Sequence, residues 1–226
     1  MNKNLWLLAL CQGLFLTNNV VFIAINGLVG LQLAPFGWMA TLPVMGYVVG
    51  GALSTPLVAR TQMRWGRKVS FQIGLAVAVV SAALCAWAAF SASFWLLCTA
   101  TVVAGYYSAN GGLYRFAAAE LAKPDYREKA VSLVLAGGLL GAVAGPNLAS
   151  ATRTLFPVPF AGAYIALIGV ALLSMLCMTA IRFEMQPVVL NAAGQREPGR
   201  PLSVLMRQPA FIVAIVGAAL GYGVMN

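Results

Sequence analysis

The sequence predicts an all-α polytopic membrane protein, and three observations carry that prediction. Residues 4–59 and 69–114 hold no charged side chain, and residues 130–181 hold only Arg153. A helix needs ~20 apolar residues to cross a bilayer, so each block accommodates two crossings joined by a tight turn. Second, 61% of the residues are hydrophobic, 8% are charged and the mean hydropathy is +0.87, whereas soluble domains carry about 25% charged residues. Third, the basic residues gather on one side. Lys3 precedes the first block, Arg60, Arg64, Arg67 and Lys68 follow it, Arg115, Lys123, Arg127 and Lys129 follow the second, and Arg182, Arg196, Arg200 and Arg207 follow the third. Arg153 alone falls on the other side, where it suits the end of a helix. This asymmetry follows the positive-inside rule. It predicts an integral plasma-membrane protein, in a bacterium an inner-membrane one, with its N-terminus in the cytoplasm.

Taken in order, the crossings are expected at residues 5–30, 38–59, 69–90, 94–115, 130–152 and 160–181, and a seventh opens near Pro209. The turns on the far side, 32–37, 91–93 and 154–159, are rich in proline and serine, which break regular structure. Pro43, Pro56 and Pro146 fall within crossings, where neighbouring helices can satisfy the carbonyls that proline frees. The expected organisation is a six-helix bundle over 1–182, a cytoplasmic linker over 183–207 marked by its prolines, glycines and charges, and the start of a seventh helix over 208–226. Because the last stretch ends at Asn226 without an exit loop, it reads as part of a longer protein cut in or after its seventh span.

Two glycine stripes, Gly46 and Gly50 in the second crossing and Gly137, Gly141 and Gly145 in the fifth, let helix backbones approach closely in lipid. Their matching positions suggest that crossings one to three and four to six form a 3+3 inverted repeat, a design used by secondary transporters. Packing alone is the simpler reading of either stripe by itself.

The composition excludes several functions. The formal net charge of +9 has no soluble basic domain to present it to a nucleic acid. The sequence contains no histidine, no buried acid pair, no nucleophile elbow and no phosphate loop ending in lysine, which argues against an enzyme. Cys11, Cys85, Cys98 and Cys177 all lie in apolar spans without metal-ligand spacing and suit packing. No metal and no cofactor is expected.

Three motifs carry more specific information. Arg64, Gly66, Arg67 and Lys68 close a short basic stretch, with Ala59 and Met63 upstream. Gly141, Gly145 and Pro146 form a G-x-x-x-G-P run. The 115–129 segment mixes Arg115, Glu120, Asp125, Arg127, Glu128 and Lys129. The first motif resembles the loop-2/3 signature of the major facilitator superfamily, G-x-x-x-D-R-x-G-R-K. Ala59 replaces its first glycine, and Met63 replaces its aspartate, which removes that residue's usual charge pairing. The second run is similar to an element of antiporter branches of that superfamily, and the charged 115–129 segment is similar to its loop 4/5. The resemblance implies the first half of a twelve-helix transporter, an inner gate at Arg64, Gly66, Arg67 and Lys68, and a central cavity lined by the first and fourth helices.

Polar residues inside the spans are the candidates for that cavity. Gln12, Asn19 and Asn26 recur at heptad spacing, with Asn18 beside them, and the fourth span carries Tyr106, Tyr107, Asn110 and Tyr114. Asn147 on the fifth span is a lesser candidate. An unpaired amide in hydrocarbon costs several kcal/mol, so these groups either bond between helices or line a path for a small molecule. None of the six spans contains Asp or Glu, so a proton carrier, where one is used, is expected at a helix end or in the second half. The expected function is secondary transport by alternating access, by uptake or by efflux, of a small molecule that the sequence does not name. The expected partners are the bilayer and the missing C-terminal half. A non-transporting scaffold or signalling subunit is the alternative.

Overall fold

The computed structural model describes residues 3–183, 204 and 207–225. The expected linker over 183–207 lies almost wholly outside the described residues, together with Arg196 and Arg200. The chain divides into two units, Met1–Glu184 and Met185–Asn226. In the first unit, α1 spans Lys3–Leu33, α2 Leu42–Phe90, α3 Phe94–Gly111, α4 Tyr114–Leu121, α5 Arg127–Thr152 and α6 Ala161–Ala180. Short 3₁₀ turns occupy Gly37–Met39 and Pro124–Tyr126. The second unit contains α7, Pro209–Met225. No strand occurs among the described residues.

Four helical stretches, Lys3–Leu33, Gly37–Phe90, Pro124–Thr152 and Ala161–Ala180, are long and apolar enough to cross a membrane. The second holds two crossings, because α2 turns at Gly66 (φ 80°, ψ 169°). Across that turn the Thr61 and Ser70 hydroxyls lie 3.0 Å apart, whereas nine residues of straight helix would separate them by ~13 Å. Tyr47 near the start of α2 accordingly shares an apolar cluster with Cys85 and Ala89 near its end. This backbone conformation is open essentially only to glycine.

Two expectations are corrected here. The basic stretch 60–68 is not a loop: helix continues on both sides of Gly66. The fourth crossing does not end at residue 115 but breaks near Gly112 and resumes as α4 through Leu121, so much of the 115–129 segment is helical. Both corrections have one cause, since the charged residues concerned suit helix on the water side of a membrane as well as they suit a loop.

The two glycine stripes bring backbones into contact. A Cβ on Gly141 would overlap the Gly13 carbonyl oxygen, and one on Gly137 the Ala9 carbonyl oxygen. Likewise, a Cβ on Gly50 would overlap the Val102 carbonyl oxygen. The fifth crossing thus packs on the first, and the second packs on the fourth. An inverted 3+3 repeat exchanges these two pairs. The exchange extends further, because Asn18 and Asn110 stand at the same offset from the contact glycines Gly13 and Gly105. Asn18 bonds to the sixth crossing and Asn110 to the third.

The apolar interior forms two clusters stacked along the bundle. One holds Leu8, Phe15, Phe71, Tyr107, Tyr114 and Met178, and the other holds Phe22, Ile25, Tyr47, Leu97, Tyr164 and Leu167. On α1 the residues that separate them are Thr17, Asn18, Asn19 and Val20, three of the four polar. A polar layer therefore lies at mid-bundle between two greasy cores.

Candidate translocation site and inner gate

Asn19 is part-buried and donates from Nδ2 to the Tyr47 hydroxyl at 2.8 Å. Tyr106 is part-buried too, with its hydroxyl 3.0 Å from Thr61 Oγ1. These two groups keep some exposure while touching a second polar side chain. Asn18 is buried and donates to the Leu167 carbonyl at 3.2 Å. Asn26 is fully buried, donates to the Phe22 carbonyl, and accepts a 2.8 Å hydrogen bond from the Tyr164 hydroxyl. Asn110 accepts from Ser70 Oγ at 2.9 Å and donates to the Tyr106 carbonyl at 3.1 Å. Gln12 and Tyr107 are buried, and Gln12 Oε1 and the Tyr107 hydroxyl find no partner among the described residues. Tyr114 packs edge-on between Phe15 and Phe71. Asn147 is exposed and bonds back to its own helix at the Val143 carbonyl.

The heptad on α1 therefore serves two ends. Asn18 and Asn26 tie helices together, and Asn19 faces a partly open polar neighbourhood that includes Tyr47. Tyr47 escaped sequence reasoning, because a single tyrosine among the apolar residues of 42–50 carries no periodic signal. Tyr106, Thr61, Ser70 and Asn110 form a continuous chain of hydrogen-bonding side chains across the second, third and fourth crossings.

At the basic end, Arg67 grips the Glu120 carboxylate with two nitrogens and donates to Gln62 Oε1 at 3.2 Å. Such a fork fixes direction as well as distance. Glu120 on α4 thus supplies a carboxylate to a basic turn that has Met63 where the superfamily signature has aspartate. Lys68 Nζ donates to the Thr179 and Ile181 carbonyls at 2.6 and 2.9 Å, neutralising the otherwise orphaned C-terminal carbonyls of α6. Asn4 Nδ2 adds a bond to the Arg182 carbonyl at 3.0 Å. Arg64 is exposed with its guanidinium 5.4 Å from the Trp65 ring centre. The Gly66 turn is therefore fastened to the ends of α4 and α6. At the opposite end, Arg153 stands at the C-cap of α5 and lies over the Phe160 ring at 5.3 Å.

A helical bundle with paired glycine contacts, a polar layer between two apolar clusters and a charge-locked turn at its basic end defines an all-α polytopic membrane protein. The model of the Major Facilitator Superfamily matches residues 5–226. The chain belongs to that superfamily. It is 32% identical to the riboflavin transporter RfnT of Brucella anthropi, over 99% of this chain and 56% of that protein. It is also 27% identical to YdeG, an uncharacterized transporter of the same type from Bacillus subtilis, over 85% of this chain and 40% of that protein. The chain thus spans about half the length of the curated relatives it matches or less.

Proposed function

We propose that this chain is the first six-helix half of a secondary transporter, and that the whole protein moves riboflavin or a closely similar planar heteroaromatic nutrient by alternating access. The observation that carries this reading is the 32% identity to a riboflavin transporter, which extends over 99% of the chain. The chemistry of the half-bundle supports it. Riboflavin is neutral, so its site needs no buried counter-charge, and burying an unpaired charge would be costly. Up to Ile181 the acidic residues are Glu120, Asp125 and Glu128, all in the segment at the basic end, and the interior of the helices holds none. The flavin ring has two apolar faces and one edge of alternating hydrogen-bond donors and acceptors. The part-exposed Asn19 amide, held on the buried Tyr47 hydroxyl, and the part-exposed Tyr106 phenol offer both kinds of hydrogen-bonding partner.

In this reading the bundle rocks as one body against a second half around the polar layer. The Arg67–Glu120 lock and the Lys68 cap hold the turn at Gly66 as part of the inner gate. The basic ends face the cytoplasm by the positive-inside rule, part-exposed Asn19 and Tyr106 line the path, and buried Asn18, Asn26 and Asn110 tie helices together.

The test is counterflow of radiolabelled riboflavin in proteoliposomes containing both halves and preloaded with unlabelled riboflavin. Transient accumulation of label above equilibrium is expected. Its absence, alongside robust counterflow of an unrelated solute, would assign a different cargo.

A further inference from the structure

A cavity of about 660 Å³ opens at the basic end of the bundle, away from the polar layer. Its floor is apolar, from Leu5 on α1, Leu121 and Ala122 at the end of α4, and Ala130 and Leu133 on α5. Its rim carries Lys123, Lys129 and Tyr126. The volume falls in the range of ligand sites, about 300–1,000 Å³. The lysine ammonium of Lys129 lies 5.6 Å from the Tyr126 ring centre, which holds it near the mouth. Asp125 and Glu128 share the segment but do not line the cavity. Neither rim lysine joins an ion pair among the described residues, where the bridge is that of Arg67 with Glu120.

From this geometry we infer a binding site for an anionic phospholipid. The arrangement of cations above an apolar floor, at the first turns of two membrane-spanning helices, matches the amphipathic order of such a lipid. The phosphate meets Lys123 and Lys129, the Tyr126 ring sits at headgroup level where tyrosine is favoured, and the first carbons of an acyl chain lie on Leu5 and Leu133. Anionic lipids concentrate in the leaflet that basic segments face, and each nearby lysine contributes about 1 kcal/mol. The inference rests on membrane insertion and on the charge asymmetry, and it is independent of the cargo.

The experiment is native mass spectrometry of the 226-residue chain in detergent, supplied in turn with dioleoylphosphatidylglycerol, dioleoylphosphatidylcholine and inorganic phosphate. Phosphatidylglycerol is expected to remain bound and phosphatidylcholine to be lost. K123Q combined with K129Q is expected to weaken phosphatidylglycerol binding about 30-fold, which is two lysines at about 1 kcal/mol each converted at tenfold per 1.4 kcal/mol. Leu133→Trp, which fills the floor and keeps both charges, is expected to weaken it as well. Arg115→Gln, a charge that does not line the cavity, should leave binding within about twofold of the parent. Equal retention of the two lipids, undiminished binding in the double variant or in Leu133→Trp, or inorganic phosphate competing as well as the lipid would overturn the assignment. A change of oligomeric state in the cavity variants, with lipid binding unaltered, would assign the face to a second copy of the chain instead.

Discussion

Replacing Gly141 by alanine tests the close backbone approach of α1 and α5. A Cβ there would overlap the Gly13 carbonyl oxygen and come within 2.8 Å of its carbon and 3.0 Å of its Cα. All three atoms are backbone, so no rotamer change relieves the clash, and α1 and α5 must move apart. Overpacking of this kind costs about 1–3 kcal/mol. The separation also lengthens the 3.2 Å bond from Thr17 Oγ1 to the Gly141 carbonyl, and such interhelical bonds average about 0.6 kcal/mol in membranes. With ~2–4 °C per kcal/mol for a chain of this size, Gly141→Ala should lower the melting temperature in detergent by roughly 3–14 °C. Gly169 on α6 provides the opposite case. Nothing lies within 4 Å of a Cβ added there, so alanine only improves helix propensity, by about 0.5–1 kcal/mol, and should raise the melting temperature slightly. Intrinsic tryptophan fluorescence during a thermal ramp measures both. If Gly141→Ala melts at or above the parent, or if the two variants shift alike, the backbone contact between α1 and α5 is not what the structure describes.

Three further outcomes are expected. Tyr164→Phe strands the buried Asn26 Oδ1 and should cost about 1–3 kcal/mol; in a double-mutant cycle with Asn26→Leu, measured by denaturant titration, the two costs should fall well short of additive, and full additivity would remove the bond. Glu120→Gln weakens the grip on Arg67, but the side chains are 23% and 34% exposed, so the stability change should stay under ~1 kcal/mol; the readout is faster deuterium uptake across residues 60–68, and unchanged uptake would show that Glu120 does not fasten the turn. Asn19→Leu in the two-half protein should reduce riboflavin counterflow about tenfold, the equivalent of one hydrogen bond of ~1.4 kcal/mol, whereas Cys85→Ala should leave it nearly unchanged; equal losses would take Asn19 out of the path.

Much of the architecture is legible because lipid imposes it. Unbroken apolar blocks, proline-bearing turns and one-sided basic residues place the crossings, and small residues at every fourth position mark where backbones meet. The partner of each stripe is not legible, since the contact between Gly13 and Gly141 joins distant parts of the chain through shape alone. The turn at Gly66 is a similar case. The basic residues around it signal a water-facing segment, but one glycine with positive φ, flanked by helix, does the work expected of a whole loop. Glu120 carries no local sign that Arg67 is its partner. On α1, period alone groups Gln12, Asn19 and Asn26, yet their fates diverge according to what the sixth and second crossings bring opposite them: Tyr164 seals Asn26, and Tyr47 meets the part-exposed Asn19. A heptad reports a face and is silent on which stretch of that face is open.

Two-sided cysteine labelling most directly tests a transporter half that spans the membrane with its basic turns inside. In a chain whose Cys11, Cys85, Cys98 and Cys177 are replaced, Arg64→Cys and Leu155→Cys place single thiols at two exposed positions. An impermeant maleimide added to intact cells should label Leu155→Cys at once and Arg64→Cys only after permeabilisation. Labelling of Arg64→Cys from outside, or of both positions from the same side, would contradict the topology from which the gate and the polar layer take their meaning.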